Sequence, residues 1–251
     1  MTTTAREPVA LSSTPSVEQL RVKIFADGAN LPSMLDLYRD ARISGFTTNP
    51  TLMRNAGITD YKAFALEVLA AIPDRSISFE VFSDDLAEME RQAREINSWG
   101  EHVYVKIPVS NTQGVSTGPL IKTLSHAGVK LNVTALMTLA QVEDVVSNLA
   151  GGAPSYVSVF AGRIADTGID PVPLMAAAVE ILRPHPGCEL IWASPRELLN
   201  VFQADAIGCH IITVTPDVLK KLSLVGKNLD EYSLDTVKMF RSDAVAAGFT
   251  L

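Results

Sequence analysis

Long apolar runs are missing from this chain of 251 residues. None approaches the roughly 18 to 20 apolar residues that a membrane-spanning helix needs, so the sequence predicts no membrane association. The N-terminal stretch MTTTAREPVALSSTPSVEQL carries a single arginine and no continuous apolar core, which argues against a signal peptide. We expect residues 1–15 to be a flexible lead, residues 16–251 to form one folded domain, and the protein to be cytoplasmic.

An excess of positive charge is also missing, since the formal net charge is −7 and the isoelectric point is about 5.1. Nucleic-acid binding normally needs a basic patch, so we expect no nucleic-acid partner. This charge balance does not exclude small anionic substrates, because a few local arginines can hold a phosphate group.

Cysteine and histidine are scarce. The two cysteines, Cys188 and Cys209, are expected to be reduced thiols in or near the core. None of the four histidines has metal-ligand spacing to another histidine, cysteine or carboxylate, so no metal site is predicted. Nucleotide-binding glycine motifs are absent as well, because no GxGxxG follows the first strand and no GxxxxGK occurs. The sequence therefore predicts no cofactor.

Eight short runs are rich in apolar and β-branched residues. Their nearly continuous apolar character is typical of parallel strands that are buried on both faces. The runs are RVKIFAD (21–27), GFTTNP (45–50), SISFEVF (76–82), HVYVKIPV (102–109), VKLNVTAL (129–136), YVSVFAG (156–162), CELIWAS (188–194) and CHIITVT (209–215).

Most gaps between these runs hold an amphipathic helical pattern. The clearest is SDDLAEMERQAREINSWG, whose acidic first turn suits a helix N-terminus. Another is NLPSMLDLYRDARIS (30–44), and the tail GKNLDEYSLDTVKMFRSDAVAAGFTL predicts one or two further helices. Strand–helix units repeated eight times predict an α/β fold, a single (β/α)8 TIM barrel with extra C-terminal helices. An open doubly wound sheet is the alternative.

Polar residues inside the predicted strands are candidates for a site, because a barrel carries its chemistry at the C-terminal strand ends. Lys106 lies in the middle of VYVKIPVS, and Glu80 lies in SISFEVF. A buried charge is unfavourable unless it is paired or functional. A structural Glu80–Lys106 salt bridge would explain these two residues, and Asp27 before Gly28 could simply form a turn. The other candidates are Asn49, Asn132, Thr134, Ser158, Arg163, Ser194 and Arg196.

Taken together, these residue types suit aldol chemistry. Desolvation of a lysine favours its neutral amine, which attacks a carbonyl carbon and forms a Schiff base. The protonated imine then accepts the electron pair that is released when a carbon–carbon bond breaks. Asp27 and Glu80 are suitable bases or proton relays, and two arginines suit a phosphate. The reaction needs neither a metal nor a cofactor.

The same residues lie in motifs that resemble the transaldolases, including the small subgroup that contains the fructose-6-phosphate aldolases. These motifs are FADGAN at the first strand, GFTTNPTL at the second, YVKIPV at the fourth, LNVTALMT at the fifth, SVFAGRI at the sixth and WASPRE at the seventh. TTNP followed by VKIP and an N-x-T strand is a specific combination, whereas each motif alone is weak. The resemblance implies a barrel fold, sugar-phosphate substrates and a homo-oligomer.

The resemblance also implies a role for each candidate. Lys106 would form the Schiff base with the C2 carbonyl of a ketose phosphate, and Asp27 would take the proton of the C4 hydroxyl. Glu80 and Thr134 would hold the water that relays protons. The residues that would contact the substrate are Asn49 and Asn132 at its hydroxyls, Arg163, Arg196 and Ser194 at its phosphate, and Ser158 and Phe160 along the pocket.

Two positions bear on whether the reaction is a transfer or a simple aldol cleavage. The aldolase branch has Gln and Tyr where this sequence has Glu80 and Phe160. A tyrosine hydroxyl there can help to activate water and so favours release of free dihydroxyacetone. The sequence therefore favours transfer, with a fructose-6-phosphate aldolase-type lyase as the alternative. Because Gly28 and Pro195 depart from the family pattern, an unusual sugar phosphate stays open as the substrate, as does a binding barrel without catalysis.

Overall fold

The structure, a computed structural model, describes residues 16–251, and the predicted flexible lead of residues 1–15 lies outside the described residues. The described chain forms two compact units. One unit spans Leu20–Lys220, and the other comprises the described residues up to Gln19 together with Lys221–Leu251. The single domain over residues 16–251 stays a prediction.

Parallel strands form a closed barrel within the unit Leu20–Lys220, and they follow one another around it in sequence order. Each of the eight predicted runs contains or overlaps one strand, so the (β/α)8 prediction is confirmed. The strands are β1 (Lys23–Asp27), β2 (Ile43–Thr47), β3 (Ser76–Glu80), β4 (Val103–Pro108), β5 (Leu131–Leu136), β6 (Ser155–Val159), β7 (Cys188–Trp192) and β8 (Ile211–Val214).

Helices alternate with these strands. They are α1 (Leu31–Tyr38), α2 (Pro50–Asn55), α3 (Tyr61–Ala71), α4 (Leu86–Asn97), α5 (Gly118–His126), α6 (Leu139–Leu149), α7 (Ala161–Asp166), α8 (Pro171–Leu182), α9 (Leu199–Ala206) and α10 (Pro216–Leu219). The second unit contains α11 (Leu229–Ala246), within the tail for which one or two helices were predicted. Across residues 16–251, no helix combines the length and the apolar composition that crossing a bilayer requires.

The helix predicted over residues 30–44 is too long. In the structure α1 ends at Tyr38, and Ile43 already belongs to β2. The reason is strand pairing, because Ile43 lies opposite Ile24 and Gly45 lies opposite Phe25 in the barrel. The free energy gained by burying β2 between β1 and β3 outweighs the local helical pattern.

Two short helices, α2 and α7, were not predicted. The side chain of Asn49 caps α2 by accepting a hydrogen bond from the Leu52 N–H at 2.9 Å, and Pro50 occupies the first helical turn. The sixth strand was predicted to run through residue 162, yet β6 ends at Val159 and the next residues begin α7. Both helices lie in the loops that follow strands, where they present polar residues to the site.

The sequence of β4 shows how one strand supplies both core and site. Val103, Val105 and Ile107 are buried, and they alternate with Tyr104 and Lys106. Because successive side chains of a strand point to opposite faces, the aliphatic residues face the helices and the other two face the barrel interior. The placement of a lysine inside an apolar strand therefore follows from the barrel geometry.

An aromatic layer fills the barrel interior beneath the site. The rings of Phe25 and Tyr156 pack edge to face with centroids 5.7 Å apart, and Tyr104 stacks on Tyr156 at 3.9 Å. Gly45 is required here, because a Cβ at this position would lie 2.7 Å from the Phe25 ring. Burial of Phe25 contributes about 2–3 kcal/mol. Each of the three rings lies two residues before a polar site residue on its strand and so supports the site from below.

Candidate active site

A cavity of about 560 Å³ lies at the C-terminal ends of the strands. It is lined by all eleven residues that the sequence singled out, and the structure therefore brings every one of them together. They are Asp27, Asn49, Glu80, Lys106, Asn132, Thr134, Ser158, Phe160, Arg163, Ser194 and Arg196. Thr213 in β8 and Thr215 just after it also line the cavity, so residues from strands or loops around the whole barrel reach it.

Lys106 is buried in the wall of the cavity with 7% of its surface exposed. Its Nζ lies 3.1 Å from Oε2 of Glu80, the residue directly opposite it on β3, and donates to the Thr48 carbonyl oxygen at 2.8 Å. The salt bridge that a structural explanation requires is thus present. It does not stand alone, however, because the same cavity holds a second carboxylate and two arginines.

Asp27 is the second carboxylate of the site. Its Oδ1 accepts a hydrogen bond from the Thr47 hydroxyl at 2.8 Å, and that hydroxyl also contacts the hydroxyl of Thr213. Burial raises the pKa of Asp27; the charge of Lys106 and the Thr47 hydrogen bond oppose this rise, and Glu80 adds to it. A carboxyl with a raised pKa is a stronger base once it is ionised, which suits proton abstraction from a hydroxyl.

A buried chain of hydrogen bonds fixes Asn132 on β5. Ser158 donates its hydroxyl to Oδ1 of Asn132 at 2.7 Å, and Nδ2 of Asn132 donates to the Ser78 hydroxyl at 3.0 Å. An amide has a second N–H and a second lone pair on its oxygen. Asn132 is therefore held in one orientation and still has capacity for a substrate hydroxyl.

Thr134 lies at a break in the strand geometry. The register between β5 and β6 shifts between Val133 and Leu136, and Ala135 has a left-handed φ of 66°. The Thr134 hydroxyl is buried and has no hydrogen-bond partner among the described residues. Because an unpaired buried hydroxyl is unfavourable, this one is available to a water or to a substrate group in the cavity.

The two arginines of the cavity differ in their protein partners. Arg163 on α7 lies over the Phe160 ring, with its guanidinium carbon 5.7 Å from the ring centroid. Arg196 forms an ion pair with Asp166, in which Nε donates to Oδ1 at 2.9 Å and Nη2 contacts Oδ2. One edge of the Arg196 guanidinium is thus held in place and the remaining donors are left for a ligand.

A close contact between α7, which carries Arg163, and the loop that leads to Arg196 brings both arginines to the same cavity. A Cβ at Gly162 would lie 1.5 Å from the carbonyl oxygen of Ser194, so only glycine fits. Ser194 itself has a left-handed φ of 59°, an uncommon conformation for a residue with a side chain. Pro195 follows and restricts the chain before Arg196. The loop after β7 is therefore rigid at the point where it enters the cavity.

Sequence reasoning missed three residues that hold the site together, namely Tyr61, Ser78 and Asp166. Ser78 could have been found, because it lies two residues before Glu80 on the same face of β3. Asp166 lies three residues after Arg163 on α7, which is a helix that the pattern did not predict. For Tyr61, which contacts the main chain of Glu80, the sequence carries no signal of this role.

Among residues 16–251, no group of three or more histidine, cysteine, aspartate or glutamate side chains could hold a metal ion. Both cysteines are free and buried, and burial raises the pKa of Cys188 to about 11 and that of Cys209 to about 12. These thiols are therefore protonated core residues.

Comparisons with known proteins point to one family. A family model described as Transaldolase/Fructose-6-phosphate aldolase matches residues 24–251. A probable transaldolase of Dehalococcoides mccartyi is 37% identical over 203 residues, which cover 80% of this chain and 90% of the relative. A probable transaldolase of Pelotomaculum thermopropionicum is 35% identical over 227 residues, which cover 88% of this chain and 97% of the relative.

Solved structures support the fold. Dihydrodipicolinate synthase from Rhodopseudomonas palustris superposes with a TM-score of 0.54 at 14% identity, covering 85% of this chain and 79% of that one. A mandelate oxidase variant superposes with a TM-score of 0.55 at 12% identity, covering 83% of this chain and 72% of the other. At such low identity these likenesses concern the barrel alone.

Proposed function

The chain belongs to the transaldolase/fructose-6-phosphate aldolase family, and on that premise we propose that it is a transaldolase. It transfers a dihydroxyacetone unit from a ketose phosphate to an aldose phosphate through a Schiff base on Lys106. The observation that carries this proposal is the shared cavity, in which the buried Lys106 amine, the Asp27 carboxyl and two arginines line one space.

Imine formation begins when the Lys106 ammonium gives a proton to Glu80 and the resulting amine adds to the C2 carbonyl. Glu80, which lies 3.1 Å from the nitrogen, takes part in the proton transfers that convert the added oxygen into a leaving water. The buried Thr134 hydroxyl lies in the same cavity and holds that water. One water leaves on formation of the protonated imine, and one is consumed when the product imine is hydrolysed.

Carbon–carbon cleavage follows on the other side of the cavity. Asp27 removes the proton of the C4 hydroxyl, the C3–C4 bond breaks, and its electron pair moves into the imine to give an enamine. The aldose phosphate leaves, while Asn49 and Asn132 hold the three-carbon unit through its hydroxyls. The enamine then attacks the aldehyde of an acceptor, and Asp27 returns its proton to the new hydroxyl.

The phosphate of either sugar binds at the two arginines. Arg163 lies on α7 and Arg196 on the loop after β7, and the Gly162–Ser194 contact holds these two segments together. Paired guanidinium groups suit a phosphate dianion. The Ser194 side chain lines the same end of the cavity, and Ser158 lines its wall. Remote binding of the phosphate orients the reacting carbons against Lys106.

Transfer is favoured over release because the site offers no tyrosine at position 160. The Phe160 ring packs against the Arg163 guanidinium and has no hydroxyl with which to activate water. The three-carbon enamine therefore persists until an acceptor aldose arrives. The alternative is an aldolase-type lyase. In that enzyme the enamine would be protonated at carbon, and the resulting imine would be hydrolysed without an acceptor.

The test separates these reactions by their products. The protein is mixed with fructose 6-phosphate with or without erythrose 4-phosphate, and sugars are quantified by NMR. A transaldolase forms a new ketose phosphate only when the acceptor is present, with little free dihydroxyacetone. Free dihydroxyacetone at the same rate in both mixtures would contradict transfer. Phe160→Tyr is the matched variant and is expected to raise release relative to transfer.

A second candidate is a related enzyme that acts on an unusual sugar phosphate. A cavity of about 440 Å³ adjoins the first and shares Asp27 and Thr215 with it. Gly28 lines this space, and a Cβ there would meet no atom within 4 Å. Gly28→Ser should therefore fold normally and narrow the space. If a longer sugar enters it, kcat/KM for that sugar should fall more than for fructose 6-phosphate.

We also propose that the protein assembles as a homo-oligomer. Along α11, Leu234, Val237 and Phe240 are more than half exposed in the single chain, and Phe249 beyond it is 80% exposed. Apolar surface of this extent is usually covered by a partner. Light scattering after size-exclusion chromatography should give a mass of at least twice 27.0 kDa. A cytoplasmic location and a role in the pentose phosphate pathway stay predictions.

A further inference from the structure

We propose that Tyr61, at the start of α3, is a positioning residue that holds in place the two hydrogen-bond acceptors of the Lys106 nitrogen. These acceptors are the Thr48 carbonyl and the Glu80 carboxylate. The inference rests on the proposed Schiff-base role of Lys106, and it adds a residue that does not itself contact the substrate.

The main-chain hydrogen-bond ladder between β2 and β3 stops at Thr48. Thr47 pairs with Ser78, and the last main-chain bond runs from the Thr48 N–H to the Ser78 carbonyl at 3.2 Å. In a parallel ladder the following rung would join the Glu80 N–H to the Thr48 carbonyl.

Two side chains take the place of that rung. The Glu80 N–H donates to the Tyr61 hydroxyl oxygen at 2.7 Å, and the Thr48 carbonyl accepts from Nζ of Lys106 at 2.8 Å. Because the tyrosine occupies the amide of Glu80, the Thr48 carbonyl is left for the lysine. The opening in the ladder is thus what gives Lys106 a main-chain acceptor.

The next rung cannot form either, since position 50 is a proline and has no N–H. The Tyr61 hydroxyl instead donates to the Glu80 carbonyl at 2.8 Å. One hydroxyl therefore satisfies both main-chain groups of Glu80, the residue whose carboxylate lies beside Lys106. Burial raises the pKa of Tyr61, so the hydroxyl keeps the proton that it donates.

The ring of Tyr61 is itself held in place. It packs against Phe82 with centroids 5.6 Å apart, against Trp99 at 6.0 Å and against Phe79 at 6.4 Å. These contacts do not involve the hydroxyl, so removal of the oxygen leaves the aromatic cluster intact. Tyr61→Phe is consequently a specific test of the two hydrogen bonds.

Without the hydroxyl, we expect the Glu80 N–H to close the rung onto the Thr48 carbonyl. Lys106 then shares the Thr48 carbonyl with that amide instead of having it alone, and the Glu80 carboxylate shifts with its main chain. A displacement of this kind at a reacting group lowers the rate of imine formation roughly 10- to 100-fold. The arginines are untouched, so the KM for a phosphorylated substrate should stay within about twofold.

The experiment measures the rate at which borohydride traps fructose 6-phosphate on Lys106, together with kcat, KM and the melting temperature. Tyr61→Phe should be trapped at least 10-fold more slowly at unchanged KM. Tyr61→4-fluorophenylalanine keeps nearly the volume of tyrosine without a hydrogen to donate, and its trapping should be slow even if Tyr61→Phe destabilises the fold. Tyr61→4-aminophenylalanine can both donate and accept a hydrogen bond, and it should restore the trapping rate.

Tyr38→Phe is the matched control, because it removes a hydroxyl that donates to Asp74 at 2.7 Å on the barrel exterior. It should be trapped at the wild-type rate. If the wild type is trapped and the phenylalanine and 4-fluorophenylalanine variants of Tyr61 are trapped equally fast, the positioning role is wrong while the proposed function stands. If the wild type is not trapped by any ketose phosphate, the proposed function fails and this inference falls with it.

Discussion

Replacement of Lys106 by methionine tests how much the buried ion pair between Lys106 and Glu80 contributes to the stability of the fold. Methionine keeps an unbranched apolar stem and removes only the charged end. The substitution leaves the Glu80 carboxylate without the ammonium at 3.1 Å and the Thr48 carbonyl without its donor at 2.8 Å. The side chains of Lys106 and Glu80 are 9% and 18% exposed, so water can replace these partners only in part.

The expected loss follows from this burial. Removal of one partner of a buried ion pair destabilises a protein by about 3–5 kcal/mol, because the other charge stays desolvated. Since Glu80 faces a cavity, we expect the lower end, about 3 kcal/mol. For a domain of this size that corresponds to a melting temperature lower by roughly 6–12 °C. Adding Glu80→Gln removes the stranded charge and should recover more than half of the loss.

The assay is thermal unfolding at pH 7.5 of the wild type, Lys106→Met, Glu80→Gln and the double variant. Arg91→Met is the control, because its ion pairs with Glu88 and Glu95 are exposed and should change the melting temperature little. A double variant that is less stable than Lys106→Met would refute the reasoning, and so would a Lys106→Met protein as stable as the wild type.

Three further substitutions test the surroundings of the site. Gly162→Ala should raise KM for phosphorylated sugars at least about 10-fold and destabilise the fold by about 1–3 kcal/mol, because its Cβ meets a carbonyl oxygen at 1.5 Å. Gly187→Ala, where a Cβ meets no atom within 4 Å, is the control in steady-state kinetics and in thermal unfolding. Asp166→Ala should raise KM about three- to tenfold with kcat nearly unchanged, since Arg196 loses the carboxylate that orients it; an unchanged KM would contradict this. Burial raises the pKa of Asp27, so the folded state binds that proton more tightly than the unfolded state, and stability falls as pH rises from the ordinary value of 3.8 through the raised pKa. Asp27→Asn should therefore abolish turnover yet raise the melting temperature at pH 7.5, and this gain in melting temperature should vanish near pH 3.8. A melting temperature at pH 7.5 below that of the wild type would contradict the predicted direction.

Much of the site could be predicted because a barrel imposes a simple rule on its strands. Lys106 and Glu80 stand out as charges in apolar runs, and strand periodicity sends both to the interior. The C-terminal location then follows from the topology alone. Their direct opposition depends on the adjacency of β3 and β4 and also on the register in which these strands pair.

The parts that could not be predicted depend on loops and on contacts between distant elements. Asp166 and Arg196 meet because α7 begins directly after β6, and short helices in loops leave no periodic pattern. Ser194 has a left-handed φ at the point where Gly162 approaches its carbonyl oxygen, a combination that no local propensity indicates. Tyr61 reaches Glu80 across the opening in the ladder, a feature that exists only once the barrel has closed.

The helix predicted over residues 30–44 extends beyond the end of α1 at Tyr38, and this error also arises from a contact between elements that the local pattern does not show. Residues 39–44 continue a helical pattern after α1, yet Ile43 is buried as a partner of β1. Barrel closure needs that strand, and the free energy of burying it exceeds the small differences in helix propensity.

Borohydride trapping followed by peptide mass spectrometry is the sharpest test for a Schiff base on Lys106. The protein is mixed with fructose 6-phosphate, reduced, digested and mapped. The account predicts a dihydroxyacetone-sized adduct on Lys106, which requires both imine formation and cleavage of the C3–C4 bond. An adduct on another lysine, or no adduct with any ketose phosphate while the protein remains folded, would contradict it and leave Lys106 as the structural partner of Glu80.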